Sequence, residues 1–201
     1  HGSVGSLISN NISIKKLSSI QKREFIITKP WPGCMTGILN SKIEFNKYWD
    51  EKGNFKMFDL ATKNKNSIYI HGRTDDVINI RGHRIGSEEI ESVVQKHPQV
   101  SECCAVSIND QLEGQVVYLF IVSKLKDTED ISSLVEKNFG TFSIPKKIYN
   151  VPELPKTRSG KILRRLLRQL LESSKNKNFG DLSTIQNPHI IPKLRKQITN
   201  E

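Results

Sequence analysis

The seven residues Pro155-Lys156-Thr157-Arg158-Ser159-Gly160-Lys161 hold the densest chemistry of the chain. Pro155 fixes the entry of this segment, and Gly160 admits backbone angles that other residues avoid. Lys161 stands at the mouth of an apolar-periodic run, where it can deliver a mobile point charge to phosphate or carboxylate oxygens. The upstream glycine of a P-loop is missing, so the spacing is not that motif. A phosphate-facing loop and a basic surface loop satisfy these residues equally well. Between Pro155 and Lys177, eight cations face Glu172 alone, and this block supplies most of the formal net charge of +10. Such a block attracts the phosphates of a nucleotide, a nucleic acid or a membrane surface; a solvated helix face is the plainer reading. The three cysteines, Cys34, Cys103 and Cys104, have no metal-ligand spacing and suit a reduced protein of the cytoplasm. Cys103 and Cys104 lie in an apolar run and read as packing residues.

These side chains need elements to hold them. Residues 162–171 form a strongly amphipathic helix, with Ile162, Leu163, Leu166, Leu167, Leu170 and Leu171 on one face and Arg164, Arg165 and Arg168 on the other. A second helix starts after Gly86, with Ser87 as its N-cap, Glu88 and Glu89 in its first turn, and Ile90, Val93 and Val94 as its stripe; Pro98 stops it. The apolar runs 100–108 and 116–122 read as paired strands, 131–139 as a helix and 147–151 as a strand. Further upstream, 24–28, 68–70 and 77–80 read as strands, and 41–56 as a short helix around Phe45, Tyr48 and Trp49. Residues 1–23 read as irregular, and 172–201 as a loose polar wrap. The order from Asp75 onward gives a small α/β domain, with its boundary in the polar turn 73–76.

The length of 201 residues suits one domain, or a small domain with a piece of another. An apolar fraction of 36% is lean, so part of the chain is expected to be loose or to need a partner surface. No apolar run approaches the length that spans a bilayer, and His1-Gly2-Ser3 lacks the layout of a signal peptide. The absence of an initiating Met suits a processed, trimmed or tagged chain.

The segment PKTRSGKILRR, residues 155–165, resembles the last signature of the adenylate-forming (AMP-dependent) superfamily of acyl-CoA synthetases, luciferases and peptide-synthetase adenylation domains. Residues 72–91, GRTDDVINIRGHRIGSEEIE, resemble the hinge and following signature of the same family. The segments Lys29-Pro30-Trp31-Pro32-Gly33, His97-Pro98 and Gly180-Asp181-Leu182-Ser183-Thr184 resemble its acetyl- and propionyl-CoA synthetase branch. The resemblance implies an α/β (α+β) fold. Residues 75–201 would be a small C-terminal lid domain, a short mixed sheet flanked by helices. Residues 1–74 would be the tail end of the large N-terminal adenylation domain, irregular with short strands. It also implies a two-step reaction. Acid and MgATP give an acyl-adenylate and pyrophosphate, and CoA then gives the thioester and AMP. The lid would swing about a hinge between the steps.

By this resemblance, Lys161 is the catalytic lysine, whose charge stabilises transition-state oxygens and whose acetylation would remove it. A lysine acetyltransferase and deacetylase are therefore implied partners. Asp59 would hold the ribose hydroxyls and Arg73 would contact the ribose, while Arg84 would face the AMP phosphate through its planar donor fork. Gly82 would lie beside the pantetheine arm of CoA with Arg81 next to it, and Asp75 would be the hinge. Gln95, His97 and Val100 would supply groups to a structural cation at a helix end. The implied cofactors are ATP, Mg2+ and CoA, and the implied main partner is the missing N-terminal adenylation domain. Without that domain's phosphate loop and acyl pocket, the chain alone is expected to be inactive.

The chain departs from the family pattern at three places. Met57-Phe58 replace a Thr-Gly before Asp59, Arg81 replaces a small residue beside CoA, and Glu136 replaces an arginine expected to pair with a CoA phosphate, with Lys137 adjacent. These changes motivate the alternative of a non-catalytic interaction module that keeps the lid fold. A nucleic-acid partner ranks last, because no aromatics interleave the cations of the basic helix.

Overall fold

A computed structural model describes residues 3–5, 12–16, 23–65, 67–172, 182–183 and 185–199. The chain divides into two compact units, residues 1–77 and 78–201. The first is built on a five-stranded sheet in the order β1-β5-β4-β3-β2, with β1 (Ser3–Gly5), β2 (Ile12–Lys16), β3 (Arg23–Ile27), β4 (Phe55–Asn64) and β5 (Ser67–Arg73). Every pairing is antiparallel. The irregular reading of residues 1–23 is therefore corrected at 3–5 and 12–16, which are strands. The alternation Ile12-Ser13-Ile14 has the period of a strand, and β2 pairs with β3 in unbroken register from Ile12↔Ile27 to Lys16↔Arg23.

The helix expected over 41–56 is confined to α1 (Lys42–Lys47), where Ser41 accepts the Glu44 N–H as an N-cap. Beyond it the chain turns back, so that Trp49 pairs with Phe55 and the Lys56 N–H donates to the Tyr48 carbonyl at 2.8 Å. The aromatic spacing belongs to a cluster, not to a helix face. Trp31, Tyr48 and Trp49 lie 5.2, 5.8 and 5.3 Å from the Phe55 ring.

In the second unit, β6 (Val77–Ile80) and β7 (His83–Gly86) make a hairpin. Helix α2 (Ser87–Val94), β8 (Val100–Asp110), β9 (Gly114–Ser123), α3 (Glu129–Phe139), β10 (Lys147–Asn150), α4 (Arg164–Glu172) and α5 (Ile190–Thr199) follow. The sheet is mixed, with β9 parallel to β10 and antiparallel to β8 and β6. Both faces are covered, so β8 and β9 read as nearly continuous apolar runs. Cys103, Ala105, Val117, Leu119 and Ile121 point to one core with Ile90 and Val94 of α2 and Ile131 and Val135 of α3. Cys104, Val106 and Phe120 point to the other with Leu166, Leu167 and Leu170 of α4 and Ile190, Ile191 and Leu194 of α5. Each Val, Leu, Ile or Phe side chain fully buried there stabilises the unit by roughly 1.5–3 kcal/mol.

Three element boundaries differ from the expectation. The N-cap of α2 is Gly86, and Ser87 is the first helical residue; the Glu89 carboxylate reaches back to accept the Gly86 N–H at 2.9 Å, and no side chain caps the helix. Helix α4 begins at Arg164, because Ile162 is held in a β-bridge with Lys156. Within the stretch expected to be a loose wrap, α5 buries Ile190, Ile191 and Leu194. Pro192 is accommodated in its first turn, where a missing N–H costs no helical bond.

Candidate functional site

Loop 155–161 is fixed at every backbone turn. Within it, the Thr157 N–H donates to the Lys161 carbonyl at 2.8 Å, the Gly160 N–H to the Thr157 carbonyl at 2.8 Å, and the Lys161 N–H to Thr157 Oγ1 at 3.1 Å. Gly160 sits at φ +83, a left-handed conformation that costs a residue with a side chain about 1–2 kcal/mol. The loop is also held from outside. Thr157 is bridged to Ile185, the Gln186 N–H donates to the Lys156 carbonyl at 2.8 Å, and Asn187 Oδ1 accepts the Lys156 N–H at 3.0 Å. The two lysines of the loop have opposite fates. The Lys156 amine is paired with Glu102. The Lys161 side chain is exposed and makes no hydrogen bond or ion pair among the described residues. A fixed base thus carries a cation that has no partner among the described residues, as charge delivery to an incoming anion requires.

The basic face of α4 is not the solvated surface expected from its pattern. Arg164 Nε donates to the Ala105 carbonyl at 3.1 Å and Nη2 to Glu91 Oε1 at 2.7 Å; Arg168 Nε donates to the Ser107 carbonyl at 3.1 Å. Glu91 Oε1 also accepts the Ala105 N–H at 2.8 Å. These side chains satisfy the edge of β8 that faces away from β9, a row of backbone groups that would otherwise be open. Burial pushes the Glu91 carboxyl up, against the opposing pull of Arg164. Two of the cations that made a nucleic-acid surface conceivable are therefore structural.

In the first unit, Asp59, Arg73 and Asp75 are brought together. Asp59 on β4 is directly opposite Arg73 on β5, with Arg73 Nη1 3.7 Å from Asp59 Oδ1. Arg73 grips Asp75 with both arms of its fork, at 2.8 and 3.1 Å. Asp59 owes its position to a bulge. Ile26↔Lys56 and Phe25↔Asp59 are consecutive on β3, so Met57 and Phe58 are extra residues on β4. Phe58 holds φ +60, a conformation that glycine adopts freely and other residues adopt at a cost. Its ring packs on Tyr48 at 5.5 Å and lies beneath the Arg73 guanidinium at 5.9 Å.

The β6–β7 hairpin carries Arg81, Gly82 and Arg84. Arg81 and Gly82 both have positive φ, 49 and 86, as a two-residue type I′ turn demands. Arg81 donates its N–H to the Glu113 carbonyl at 2.9 Å and forms an ion pair with the Glu113 carboxylate. Nothing approaches within 4 Å of a Cβ built at Gly82, so its outer side is open. Arg84 is exposed on β7. A cavity of about 320 Å³ lies beside this turn, floored by Ile80, Val117, Phe142 and Ile144 and including the ion pair Lys146–Asp110 at 3.1 Å. His83 stacks on Phe142 at 4.1 Å between centroids.

Gln95 and His97 lie in the turn that closes α2, and Val100 opens β8 directly after it. The His97 carbonyl accepts the Val100 N–H at 3.0 Å, and His97 Nδ1 accepts the Gln99 N–H at 3.3 Å. A cation there would rely on backbone carbonyls. Among the described residues, no group of three or more His, Cys, Asp and Glu could hold a metal, and no helix is long and apolar enough to cross a membrane. Trp31 packs on Phe55, and Cys103 and Cys104 are buried. Of the segment 180–184, only Leu182 and Ser183 are among the described residues; Gly180, Asp181 and Thr184 lie outside them. Sequence reasoning missed Asn187, although Asn187-Pro188 ahead of an apolar pair is a turn signal before a helix.

Residues 89–161 match the AMP-binding enzyme C-terminal domain family. The matched residues lie within the second unit. The matched segment of the AMP-binding C-terminal domain ends on Lys161, the exposed cation of the clamped loop. The chain is 39% identical over 177 residues to the acetyl-coenzyme A synthetase of Penicillium chrysogenum, an overlap covering 83% of this chain and 26% of that protein. It is 37% identical over 194 residues to the propionate–CoA ligase of Salmonella typhimurium, covering 89% of this chain and 30% of that one. The chain thus spans less than a third of the length of these relatives, and it resembles the C-terminal portion of AMP-forming acyl-CoA synthetases. The solved structure of ATP-bound MatB from Rhodopseudomonas palustris shares the fold with a TM-score of 0.67 at 21% identity, covering 84% of this chain and 35% of that one.

Proposed function

We propose that these residues are the C-terminal part of an ATP-dependent ligase that joins acetate or another short-chain acid to CoA through an acyl-adenylate, releasing pyrophosphate and AMP. The observation that carries this reading is the exposed Lys161 amine, without a partner among the described residues, at the end of an ordered loop in a segment matching the AMP-binding C-terminal domain. During adenylation, Lys161 would lend its charge to the oxygens of the acid and the nucleotide as negative charge shifts between them. MgATP is the substrate of that step. Asp59 accepts the ribose hydroxyls, Arg73 contacts the same sugar, and Arg84 offers its fork to the phosphate. Asp75, gripped by Arg73, is the hinge between a remnant of the adenylation domain, 1–74, and the mobile domain, 75–201. In the thioester step, CoA passes the open side of Gly82 with Arg81 beside it. Gln95, His97 and Val100 hold a structural cation through the α2 terminus. A lysine acetyltransferase silences Lys161 by removing its charge and a deacetylase restores it, with the cytoplasm as the compartment.

The test is acid-dependent pyrophosphate release from three samples: this chain alone, a matching N-terminal portion alone, and the two joined. Turnover is expected only from the joined protein. Turnover by the chain alone, or none from the joined protein, overturns the proposal.

A further inference from the structure

Among the described residues, none fixes this loop through the Lys161 side chain, so the hold comes from elsewhere. The segment leading into α5 supplies that hold, and one side chain dominates it. Asn187 is 8% exposed and uses both ends of its amide. Its Oδ1 accepts the Lys156 N–H at 3.0 Å. Its Nδ2 donates to the Leu154 carbonyl at 2.9 Å and to Glu153 Oε2 at 2.7 Å. Glu153 is oriented in turn by His189 Nε2, 2.6 Å from Oε1. Asn is a residue type that caps helices, and Asn187 precedes α5 by only a few positions. Yet these side-chain bonds run to 153–156 rather than into α5. Only an amide offers an acceptor and two donors from one short side chain. A carboxylate would keep the bond to Lys156 but would face two acceptors at its other oxygen.

We propose that Asn187 is a positioning residue for adenylation, locking the stretch 153–156 so that Lys161 is presented from a fixed base. This rests on the assignment of Lys161 as the adenylation lysine. Its consequence is a selective one. Loosening the loop should slow acyl-adenylate formation and leave untouched the transfer of a preformed acyl-adenylate to CoA, in which Lys161 takes no part.

The experiment compares Asn187→Ala and Asn187→Asp by two readouts. The first is amide hydrogen exchange of the 201-residue chain. In Asn187→Ala, the Lys156, Gly160 and Lys161 amides should exchange roughly fivefold to tenfold faster, as loss of about one hydrogen bond implies, with β9 and α3 protection unchanged. The second is the joined ligase, where adenylation should fall at least about tenfold, because small misplacements of a catalytic group are costly, while CoA transfer from supplied acyl-adenylate is retained. Asn187→Asp, which keeps the Lys156 acceptor, should lie between wild type and Asn187→Ala. Adding Glu153→Gln to it, which returns a donor, should recover part of the loss. Unchanged loop exchange with unchanged adenylation, in a protein where Lys161→Ala abolishes adenylation, overturns the role of Asn187. Equal losses in both half-reactions, or a uniform rise in exchange across the domain, mark a merely structural residue and also overturn it. Full adenylation by Lys161→Ala would instead sink the assignment of the lysine, and the role in adenylation with it.

Discussion

Replacing Arg164 by Met should destabilise the second unit by about 3 kcal/mol at neutral pH. Arg164 ties α4 to β8 and α2 through the Ala105 carbonyl and the Glu91 carboxylate, at 3.1 and 2.7 Å. The two side chains are 22% and 14% exposed, so the pair belongs with buried ones, where removing a partner costs roughly 3–5 kcal/mol. The lower end applies, because Glu91 keeps its bond from the Ala105 N–H. The cost should depend on pH in a defined direction. Burial already holds the Glu91 carboxyl above its ordinary value, and losing Arg164, which opposes that shift, raises it further. A raised folded-state value leaves stability intact below the unfolded value and removes it as pH rises through the folded one. The loss should therefore be large at pH 7 and small near pH 4. Urea unfolding of the chain at both pH values measures it. A loss below about 1 kcal/mol at pH 7, the range of exposed pairs, would refute the reading of the α4 arginines as structural. So would a loss that does not change with pH.

Two further outcomes follow from local geometry. Phe58→Gly relieves a φ of +60 worth about 1–2 kcal/mol but forfeits the contact with Tyr48, worth about 0.5–1.5 kcal/mol, so thermal unfolding should change little. Phe58→Ala keeps the strain and loses the ring, and should be the less stable of the two; the reverse order would contradict the strained bulge. Burial pushes the Cys103 thiol up to about 12 and the Cys104 thiol further, so at pH 8 a thiol reagent should label only Cys34 rapidly, and fast labelling of a second cysteine would contradict that.

The second unit was legible where its sequence signals were long. The runs around Cys103-Cys104 and Phe120 are apolar on both faces, which marks strands enclosed by helices, and the leucines of α4 repeat at helical spacing. The errors fall where tertiary contacts outweigh local pattern. Tyr48 and Trp49 look helical in spacing, yet they fold onto Phe55 across a turn. Strand β4 carries two extra residues at Met57-Phe58, and a bulge hides its alternation. Arg164 and Arg168 obey the polar-face rule, but their partners are backbone carbonyls of β8 some 60 positions away, which no spacing can reveal. The candidate site divides in the same way. Lys161 announces itself by its motif. Asn187, which anchors that motif's loop, is a single polar residue 26 positions downstream whose role depends on where α5 docks.

The most direct test of the account is single-turnover kinetics of Lys161→Ala in the joined ligase, with the two half-reactions measured separately. The prediction is loss of acyl-adenylate formation by at least about 10²-fold, the scale of removing one oriented electrostatic donor, with thioester formation from supplied acyl-adenylate preserved. Adenylation at the wild-type rate would contradict the account.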